Sequence, residues 1–476
     1  MKKISLLIVA AILLIGAKQS LFAQHELSSN ELFYHSVRVV QSNDVNPAFF
    51  PRNTTGYLAL PQFNTSFCLP LSYSEIGFQY DDVTDKTFIN VNELVEKLGD
   101  GNNKFNFNSS INLIGFGIDF GQYYITFSTK LALNTTVTVP TDVFNVISNM
   151  KGSSWIGRDN AAKIASDDLL LFNSYTRVSI GGGYHFATLP LTIGAHVNIL
   201  DGLVNINTDK TDIRIYATDQ YYSSVIGDVN YHVRHAGCLD IDTNYKVSIT
   251  DIPSNLGLTF DLGATFEMGN FEFSASLIDI GPGIHWKQNV VNSIPRGHRI
   301  EFSGYDISSV IQGGTFNNNF AAEFRDSVLN VINAKNETTG DFWYSIPTRI
   351  NLGASYAFNK EMFKVGFLFH GEWEKGLMCP GFGMNIPQNT FRFNTTFSFT
   401  ANIFDWLEAM VGNSFVFDGG RTDLINPGVG IVLTPLKAIQ IYAVADYISS
   451  FYLVDSKSFN CNLGINILFG GLNRGK

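Results

Sequence analysis

The sequence of 476 residues predicts an all-β fold: a transmembrane antiparallel β-barrel of about 14 strands, with an N-terminal plug and long extracellular loops. Three observations lead to this prediction: long segments of alternating apolar and polar side chains, connections that are short and long in turn, and an N-terminal export signal. No later stretch has the ~20 consecutive apolar residues that a membrane helix needs. The apolar side chains must therefore be carried by strands.

The alternation is clearest in two segments, 256–267 and 391–400. In the second, one face carries Phe391, Phe393, Thr395, Phe397 and Phe399, and the other carries Arg392, Asn394, Thr396, Ser398 and Thr400. Successive side chains of a strand point to opposite faces, so each segment has one apolar and one polar face. Their length suits a membrane strand of roughly 9–11 residues better than a soluble strand of ~5–6. A soluble β-sandwich is the alternative, but Gly, Asn, Ser and Thr on the polar face favour a water-facing barrel interior.

The same pattern predicts fourteen strands, an even number as in bacterial barrels. They are Gly56–Phe67, Asn108–Phe120, Gln122–Leu133, Ser174–Phe186, Leu191–Leu200, Asn255–Glu267, Phe271–Ile280, Pro347–Phe358, Met362–Trp373, Thr390–Ala401, Trp406–Phe417, Gly428–Thr434, Ala438–Tyr447 and Ser458–Phe469.

The predicted connections alternate in length. Tight ones, such as Met268-Gly269-Asn270, are followed by long ones, which are Cys68–Phe107, Asn134–Asn173, Asp201–Ser254 and Gly281–Ile346. Outer-membrane barrels have short periplasmic turns and long extracellular loops, so both termini are expected to face the periplasm.

The first 23 residues have the composition of a secretory signal peptide. Met1-Lys2-Lys3 is basic, Ile4–Gly16 is apolar, and Leu21-Phe22-Ala23 ends in a small residue at the expected cleavage site. We expect three parts: a signal peptide at 1–23, an N-terminal plug at 24–53 and an outer-membrane barrel at 54–476. The expected location is the cell outer membrane.

Charge and cysteine usage exclude several classes of function. The formal charge of −10 becomes −13 without Met1–Ala23, a segment with three lysines and no acidic residue. Such an acidic chain is not expected to bind nucleic acid, whose recognition depends on neutralising phosphates. The four cysteines are too far apart for a disulfide framework or a zinc site: Cys68, Cys238, Cys379 and Cys461.

Local motifs favour structural roles over chemistry. His232 and His235 lie in a predicted loop without a third ligand, which favours a solvated loop over a metal site. Gly181-Gly182-Gly183 lies inside a strand, where it relieves crowding or permits a bend. No nucleophile motif such as G-x-S-x-G is present, so we expect no enzyme and no cofactor.

One loop has the spacing of calcium ligands, at Asp240, Asp242, Asn244 and Asp251. Tyr245 replaces the glycine that the turn of a calcium loop needs, which argues against calcium. Helical spacing in Asn92–Leu98, and from Phe320 to Val331, predicts helices that cap the barrel mouth, with a ligand or partner surface as the alternative.

Two parts of the sequence resemble known families. Asn46-Pro47-Ala48, between the signal peptide and the first strand, resembles the N-terminal hatch of the FadL-like long-chain fatty-acid transporters. Other blocks resemble an uncharacterised outer-membrane family (a domain of unknown function) typical of Bacteroidota and related to those transporters: Thr141–Phe144, Leu191–Asn205, Ser274–Gly281, Ile284-His285-Trp286, and the ending from Asn426-Pro427-Gly428 to Phe469-Gly470.

The resemblance implies a channel that binds or transports a hydrophobic small molecule, in contact with outer-membrane lipid. The alternative is a non-transporting scaffold whose loops hold a secreted or surface protein partner. The hatch motif, Asn46, Pro47 and Ala48, is the first candidate site. Candidate lumen-facing residues are Arg177, His185, His196, Asp261, Glu267, Arg349, Arg392 and Asn394.

Overall fold

The structure, a computed structural model, describes residues 31–36, 38–51, 54–76, 78–81, 86–89, 91–98, 102–142, 156–166, 169–218, 225–241, 247–249, 255–293, 298–302, 336–337, 340–359, 361–373, 391–418, 421–436, 438–448 and 455–470. Among these residues, no helix has both the length and the apolar character to cross a membrane. The predicted signal peptide and the predicted helix at 320–331 lie outside the described residues.

Within the described ranges, fourteen antiparallel strands form the wall of a closed barrel. They are β1 in two pieces (Gly56–Ala59 and Gln62–Cys68), β2 Asn102–Asp119, β3 Tyr123–Pro140, β4 Leu170–His185, β5 Leu191–Ala217, β6 Asn255–Met268, β7 Phe271–Trp286, β8 Thr348–Phe358, β9 Phe363–Trp373, β10 Phe391–Phe404, β11 Leu407–Asp418, β12 Arg421–Leu433, β13 Ile439–Asp446 and β14 Ser458–Phe469. Strand β14 pairs with β13 on one side and with both pieces of β1 on the other. The predicted all-β, fourteen-stranded barrel is confirmed.

The wall has its apolar face outside and its polar face inside. In β10, Phe397 is 55% exposed, whereas the neighbouring Ser398 is only 7% exposed. The same alternation runs along β6, where Leu258 and Phe260 are exposed and Asp261 is buried. A water-soluble barrel would show the reverse, because burying apolar surface drives folding in water. The exposed apolar band is instead suited to lipid.

Exposed aromatic side chains line the rim where the short connections lie, which we call the turn side. The exposed ones include Phe120, Tyr123, Tyr184, Phe271, Tyr356, Phe404 and Trp406. Phe404 and Trp406 stack with ring centroids 5.4 Å apart. Such aromatic girdles mark the interface of a membrane with water. The opposite rim, with the long connections, is the loop side.

Several wall strands extend beyond their predicted ends on the loop side. The predicted loop Asp201–Ser254 is the largest error, because β5 continues to Ala217 and pairs with a further strand, Val225–Gly237. Asn134 and Gly281, predicted as loop starts, lie within β3 and β7. The strand prediction covers only the lipid-facing part of β5. Beyond it, Asp201-Gly202 and the polar run Asn207–Asp212 interrupt the alternation.

Shorter elements lie around these extensions. The strands are Phe78–Asp81, Lys86–Ile89, Ala162–Ser166, Leu239–Ile241, Val247–Ile249, Val291–Ser293, His298–Phe302, Asn336–Glu337 and Phe342–Tyr344. An α-helix, Val91–Leu98, confirms the helix predicted at Asn92–Leu98. Short 3-10 helices lie at Leu32–His35, Val40–Asp44, Tyr73–Ile76 and Arg158–Asn160.

Candidate functional site

The N-terminal segment, here residues 31–36 and 38–51, packs against the polar face of the wall. The segment buries the side chains of Leu32, Phe33, Tyr34, Val39 and Val40, each no more than 4% exposed. Fully burying an apolar side chain stabilises by ~1.5–3 kcal/mol, so these five together contribute about 10 kcal/mol. Among the described residues, no backbone-to-backbone hydrogen bond joins the segment to a wall strand.

Part of the inner wall is apolar where it meets the segment. Leu32, Phe33 and Val39 form a buried cluster with wall side chains of β11, β12 and β13, which are Met410, Val432, Tyr442 and Val444. The rings of Phe33 and Tyr442 meet edge to face, with centroids 5.1 Å apart. The sequence analysis did not single out these wall residues, because isolated apolar residues on a polar face look like exceptions to the alternation.

One end of the segment is held by the buried carboxylate of Glu31. Its oxygens accept hydrogen bonds from Asn394 Nδ2 at 2.8 Å and Thr396 Oγ1 at 2.5 Å on β10. Ser414 Oγ donates at 3.0 Å, and the Tyr447 hydroxyl also donates. Burial raises the pKa of Glu31 above its ordinary value, although these hydrogen bonds oppose the shift.

The middle of the segment bonds to strands on opposite sides of the barrel. Ser36 Oγ donates to Glu408 Oε1 at 2.5 Å on β11, and Gln41 Nε2 donates to Asn466 Oδ1 at 2.8 Å on β14. The carbonyl of Val45 accepts from Ser276 Oγ on β7 at 2.7 Å and from Asn351 Nδ2 on β8 at 3.1 Å. The contacts therefore come from widely separated parts of the ring.

The motif Asn46-Pro47-Ala48 lies at the other end and forms hydrogen bonds within the segment and to the wall. Asn46, 0% exposed, donates through Nδ2 to the Tyr34 hydroxyl at 3.3 Å and accepts at Oδ1 from the Ala48 backbone N–H at 3.0 Å. The Tyr124 hydroxyl of β3 donates to the Pro47 carbonyl at 2.5 Å.

Wall glycines make room for this motif. A Cβ added at Gly263 of β6 would lie 2.1 Å from Asn46 Oδ1, and one at Gly194 of β5 would lie 2.2 Å from the Pro47 carbonyl oxygen. Other glycines that face the segment in this way are Gly353, Gly366, Gly412 and Gly428. Their missing side chains leave space for the segment's backbone and side chains at close range.

Two further candidates connect the motif region to the wall. His196 Nδ1 lies 3.2 Å from Asp261 Oδ2, and His196 Nε2 lies 2.9 Å from Asn43 Oδ1 of the segment. A Cβ at Gly181 would lie 2.0 Å from His196 Cδ2, so the glycine run in β4 leaves room for this ring. The backbone N–H of Asp279 donates to Asp261 Oδ1 at 2.7 Å.

Asp279 is the functional candidate that the sequence analysis missed. Its carboxylate, 1% exposed, pairs with the guanidinium groups of Arg177 and Arg349, the latter at 2.6 Å. It has a left-handed backbone with φ of 61°, at the start of an irregular stretch of β7 that extends to Gly283. The sequence Gly281-Pro282-Gly283 signals such a bulge, because proline and glycine disrupt regular strand pairing.

A loop-side cavity of about 170 Å³ lies beside these ion pairs. Charged side chains line it from five strands: Lys130, Arg177, Asp279, Arg349 and Glu372. A turn-side cavity of about 250 Å³ is lined by His35, Lys364 and four acidic residues, which are Glu267, Glu272, Glu361 and Glu408. Smaller voids of about 30 and 10 Å³ border the segment between them.

The family-model comparison identifies the chain's family. The model of the family of unknown function DUF5723 matches residues 47–446. The chain belongs to this family. No curated protein matches it.

Solved structures resemble this DUF5723 chain only distantly. A ΔS2S3 mutant of the monoaromatic hydrocarbon channel TodX matches at 12% identity with a TM-score of 0.44, covering 90% of this chain and 94% of that chain. The P. putida toluene transporter TodX matches at 10% identity and 0.41, covering 90% and 91%. A Pseudomonas aeruginosa FadL homologue matches at 10% identity and 0.37, covering 90% and 92%.

The remaining candidates of the DUF5723 chain lie apart from the segment. His185 Nδ1 is 2.8 Å from Thr192 Oγ1 near the turn side, and Glu267 is exposed at the turn-side rim. Arg392 is half-buried on β10, in register with Glu372 of β9. Glu267 also lines the turn-side cavity, whereas the lumen-facing orientation of His185 and Arg392 remains a prediction.

The metal candidates are placed differently from the sequence analysis. His232 and His235 lie on the strand Val225–Gly237 and not in a loop, and a spacing of three puts them on opposite faces. Asp242, Asn244 and Asp251 of the calcium-like pattern lie outside the described residues. Within the described ranges, no group of three or more His, Cys, Asp or Glu converges as metal ligands.

Proposed function

We propose that the chain is an outer-membrane channel, exported by a signal peptide at 1–23, with a barrel at 54–476 and a plug at 24–53. The exposed apolar band and the aromatic rim support a location in the membrane. The plug controls passage through this channel. It separates the loop-side cavity from the turn-side cavity, which are expected to open to the outside and to the periplasm.

The main support for the plug is the close fit between the N-terminal segment and the inner face of the wall. Strands on opposite sides of the ring bond to it through Glu408, Asn466 and Ser276, and wall glycines accommodate Leu32 and Asn46. Fourteen strands enclose more space than their own side chains fill, so a filler is expected. Because the described residues of the segment have no backbone hydrogen bonds to the wall, the segment can leave while the barrel stays intact.

The molecule that passes is proposed to be small and hydrophobic. Support comes from the partly apolar lining of the loop-side cavity, where Ala132, Tyr175 and Ile346 belong to one buried apolar cluster. Apolar walls with a few placed polar groups are the usual character of a small-molecule site. The side chains inside the barrel serve to bind the molecule and let it pass, and we propose no catalytic step.

The test is uptake of radiolabelled chlorobenzene, a neutral hydrophobic molecule of one ring whose entry intact lipopolysaccharide slows, by a Gram-negative host. Cells with the full chain should take it up faster than cells without it. Ala132→Trp, which fills the loop-side cavity, should slow uptake to the level without the barrel. Ala195→Trp is the matched control, because Ala195 is exposed on the outer face and leaves the cavity empty.

Equal uptake with Ala132→Trp and Ala195→Trp would contradict passage through this cavity. The scaffold hypothesis makes a different prediction for the same protein: no acceleration of uptake, and a secreted or surface protein that co-purifies in stoichiometric amount.

A further inference from the structure

The loop-side cavity has an excess of positive charge at its polar end. Lys130 of β3, Arg177 of β4 and Arg349 of β8 line it, against the carboxylates of Asp279 and Glu372. Asp279 pairs directly with both arginines, and Glu372 acts on Arg349 at longer range. Among the residues that line the cavity, three cations face two carboxylates, so the polar end favours an anion.

Two of these cations have unused bonding capacity. Among the described residues, none forms a hydrogen bond or ion pair with the Lys130 ammonium. Arg177 is 11% exposed, and its buried Nε has no hydrogen-bond partner. Buried polar groups normally have partners, and unsatisfied ones are expensive. An anionic ligand in the cavity would supply an acceptor for the ammonium group at the least.

The opposite end of the cavity is apolar and compact. Ala132, Leu171, Tyr175, Tyr344 and Ile346 line it, and the rings of both tyrosines back onto a larger apolar cluster. A cavity of about 150 Å³ accommodates a benzene ring, so about 170 Å³ suits one ring or a branched chain of that size.

The charge of the two cavities differs in sign. The turn-side cavity has Glu267, Glu272, Glu361 and Glu408 against Lys364 and His35. An anion is thus favoured on the loop side of the segment and disfavoured on the turn side. This difference in charge would concentrate an anionic molecule in the loop-side cavity while the segment is seated.

We propose that the loop-side cavity is a binding site for a small organic carboxylate with an apolar body of about one aromatic ring, its carboxylate held by Lys130 and Arg177. This inference rests on the proposed function and names the class of substrate that the loop-side cavity binds. The apolar body would lie against Tyr175 and Ile346.

The experiment uses the full mature chain in nanodiscs of zwitterionic lipid, titrated with 4-(trifluoromethyl)benzoate and followed by fluorine NMR line broadening. The neutral 4-(trifluoromethyl)benzamide and empty nanodiscs are measured alongside. Lys130→Met should weaken benzoate binding by about tenfold or more, as expected for loss of one charge-assisted hydrogen bond. Lys130→Arg should restore most of it.

The matched control is Lys163→Met, which removes the same charge from an exposed position on the loop-side strand Ala162–Ser166. It should bind benzoate like the full chain. Lys130→Met removes no described hydrogen bond, so its barrel should assemble, as judged by heat-modifiable mobility in SDS.

Three results would overturn the inference: no benzoate binding by the full chain, equal affinity for benzoate and benzamide, or unchanged binding in Lys130→Met. If any of these occurs while the barrel still accelerates uptake of radiolabelled chlorobenzene, the anion site is refuted and the channel stands. If the acceleration is also absent, both fail.

Discussion

Gly263→Ala adds a single methyl group to the wall and tests how closely the hatch motif fits against it. The added Cβ would lie 2.1 Å from Asn46 Oδ1 and 2.9 Å from the Ala48 nitrogen and from Pro47 Cδ. Real Cβ atoms do not approach this closely, so the motif must move. Gly263 lies in a regular strand, and alanine there slightly favours the folded wall by restricting the unfolded chain.

The expected magnitude follows from the hydrogen bonds of Asn46. Its side chain makes contacts with the Tyr34 hydroxyl, the Ala275 carbonyl and the Ala48 N–H, at 3.3, 3.4 and 3.0 Å. At ~1 kcal/mol each, their loss costs about 3 kcal/mol, or about a 100-fold rise in the ratio of displaced to seated motif. The buried apolar side chains of the segment contribute more than this. Gly263→Ala should therefore loosen the motif and leave the Leu32 end in place.

The assay is swelling of liposomes in arabinose, with protein amounts matched by heat-modifiable mobility. The control is Gly115→Ala on β2, where the added Cβ meets only wall atoms, at 3.2 Å or more. Swelling should be fastest for a chain lacking Gln24–Asn46, intermediate for Gly263→Ala, and slow and equal for Gly115→Ala and the unmodified chain. Equal swelling of the two glycine variants would refute the proposed fit of the motif to the wall.

Three further predictions follow from the same contacts. Phe397→Arg on the exposed face should destabilise the assembled barrel by about 2–4 kcal/mol, whereas Ser110→Arg, at the loop-side cavity, should leave assembly unchanged. Heat-modifiable mobility in SDS measures the assembled fraction of both variants. Asp279→Asn should lower the free energy of unfolding by about 3–5 kcal/mol in a guanidinium titration, because Arg177 and Arg349 lose their counter-ion. Asp159→Asn, at an exposed position, should leave the free energy of unfolding unchanged. Because the pKa of Glu31 is raised, the contribution of Glu31 to seating of the segment is fully present below the ordinary carboxyl pKa and is lost as pH rises through the raised pKa. Swelling should therefore increase from acid to neutral pH, and Glu31→Gln should reduce this dependence.

The sequence predicted the barrel well because lipid imposes a strict period on each strand. Phe397 beside Ser398, and Phe260 beside Asp261, are visible as alternation without any structure. The same criterion failed for Asn205–Ala217, the loop-side part of β5, where the polar run Asn207–Asp212 interrupts the alternation. Strand pairing with Val225–Gly237 stabilises that part, and pairing leaves no simple period in the sequence.

The candidate site could be predicted only in outline. Asn46-Pro47-Ala48 was found from its position and resemblance, and His196 and Asp261 from their place on polar faces. Asp279 was missed because its inward side chain depends on a left-handed backbone that breaks the alternation. The contacts of Gly263 and Met410 with the segment depend on register between distant strands, which no local pattern contains.

Single-channel conductance of the full chain beside a chain lacking Gln24–Asn46 tests the plug most directly. The deletion removes no described backbone hydrogen bond of the wall, so both proteins should show the same heat-modifiable mobility. The full chain should be silent, and the truncated chain should show steady open-channel currents. Silence of a well-assembled truncated barrel, or equal currents from both proteins, would contradict closure of the lumen by the N-terminal segment.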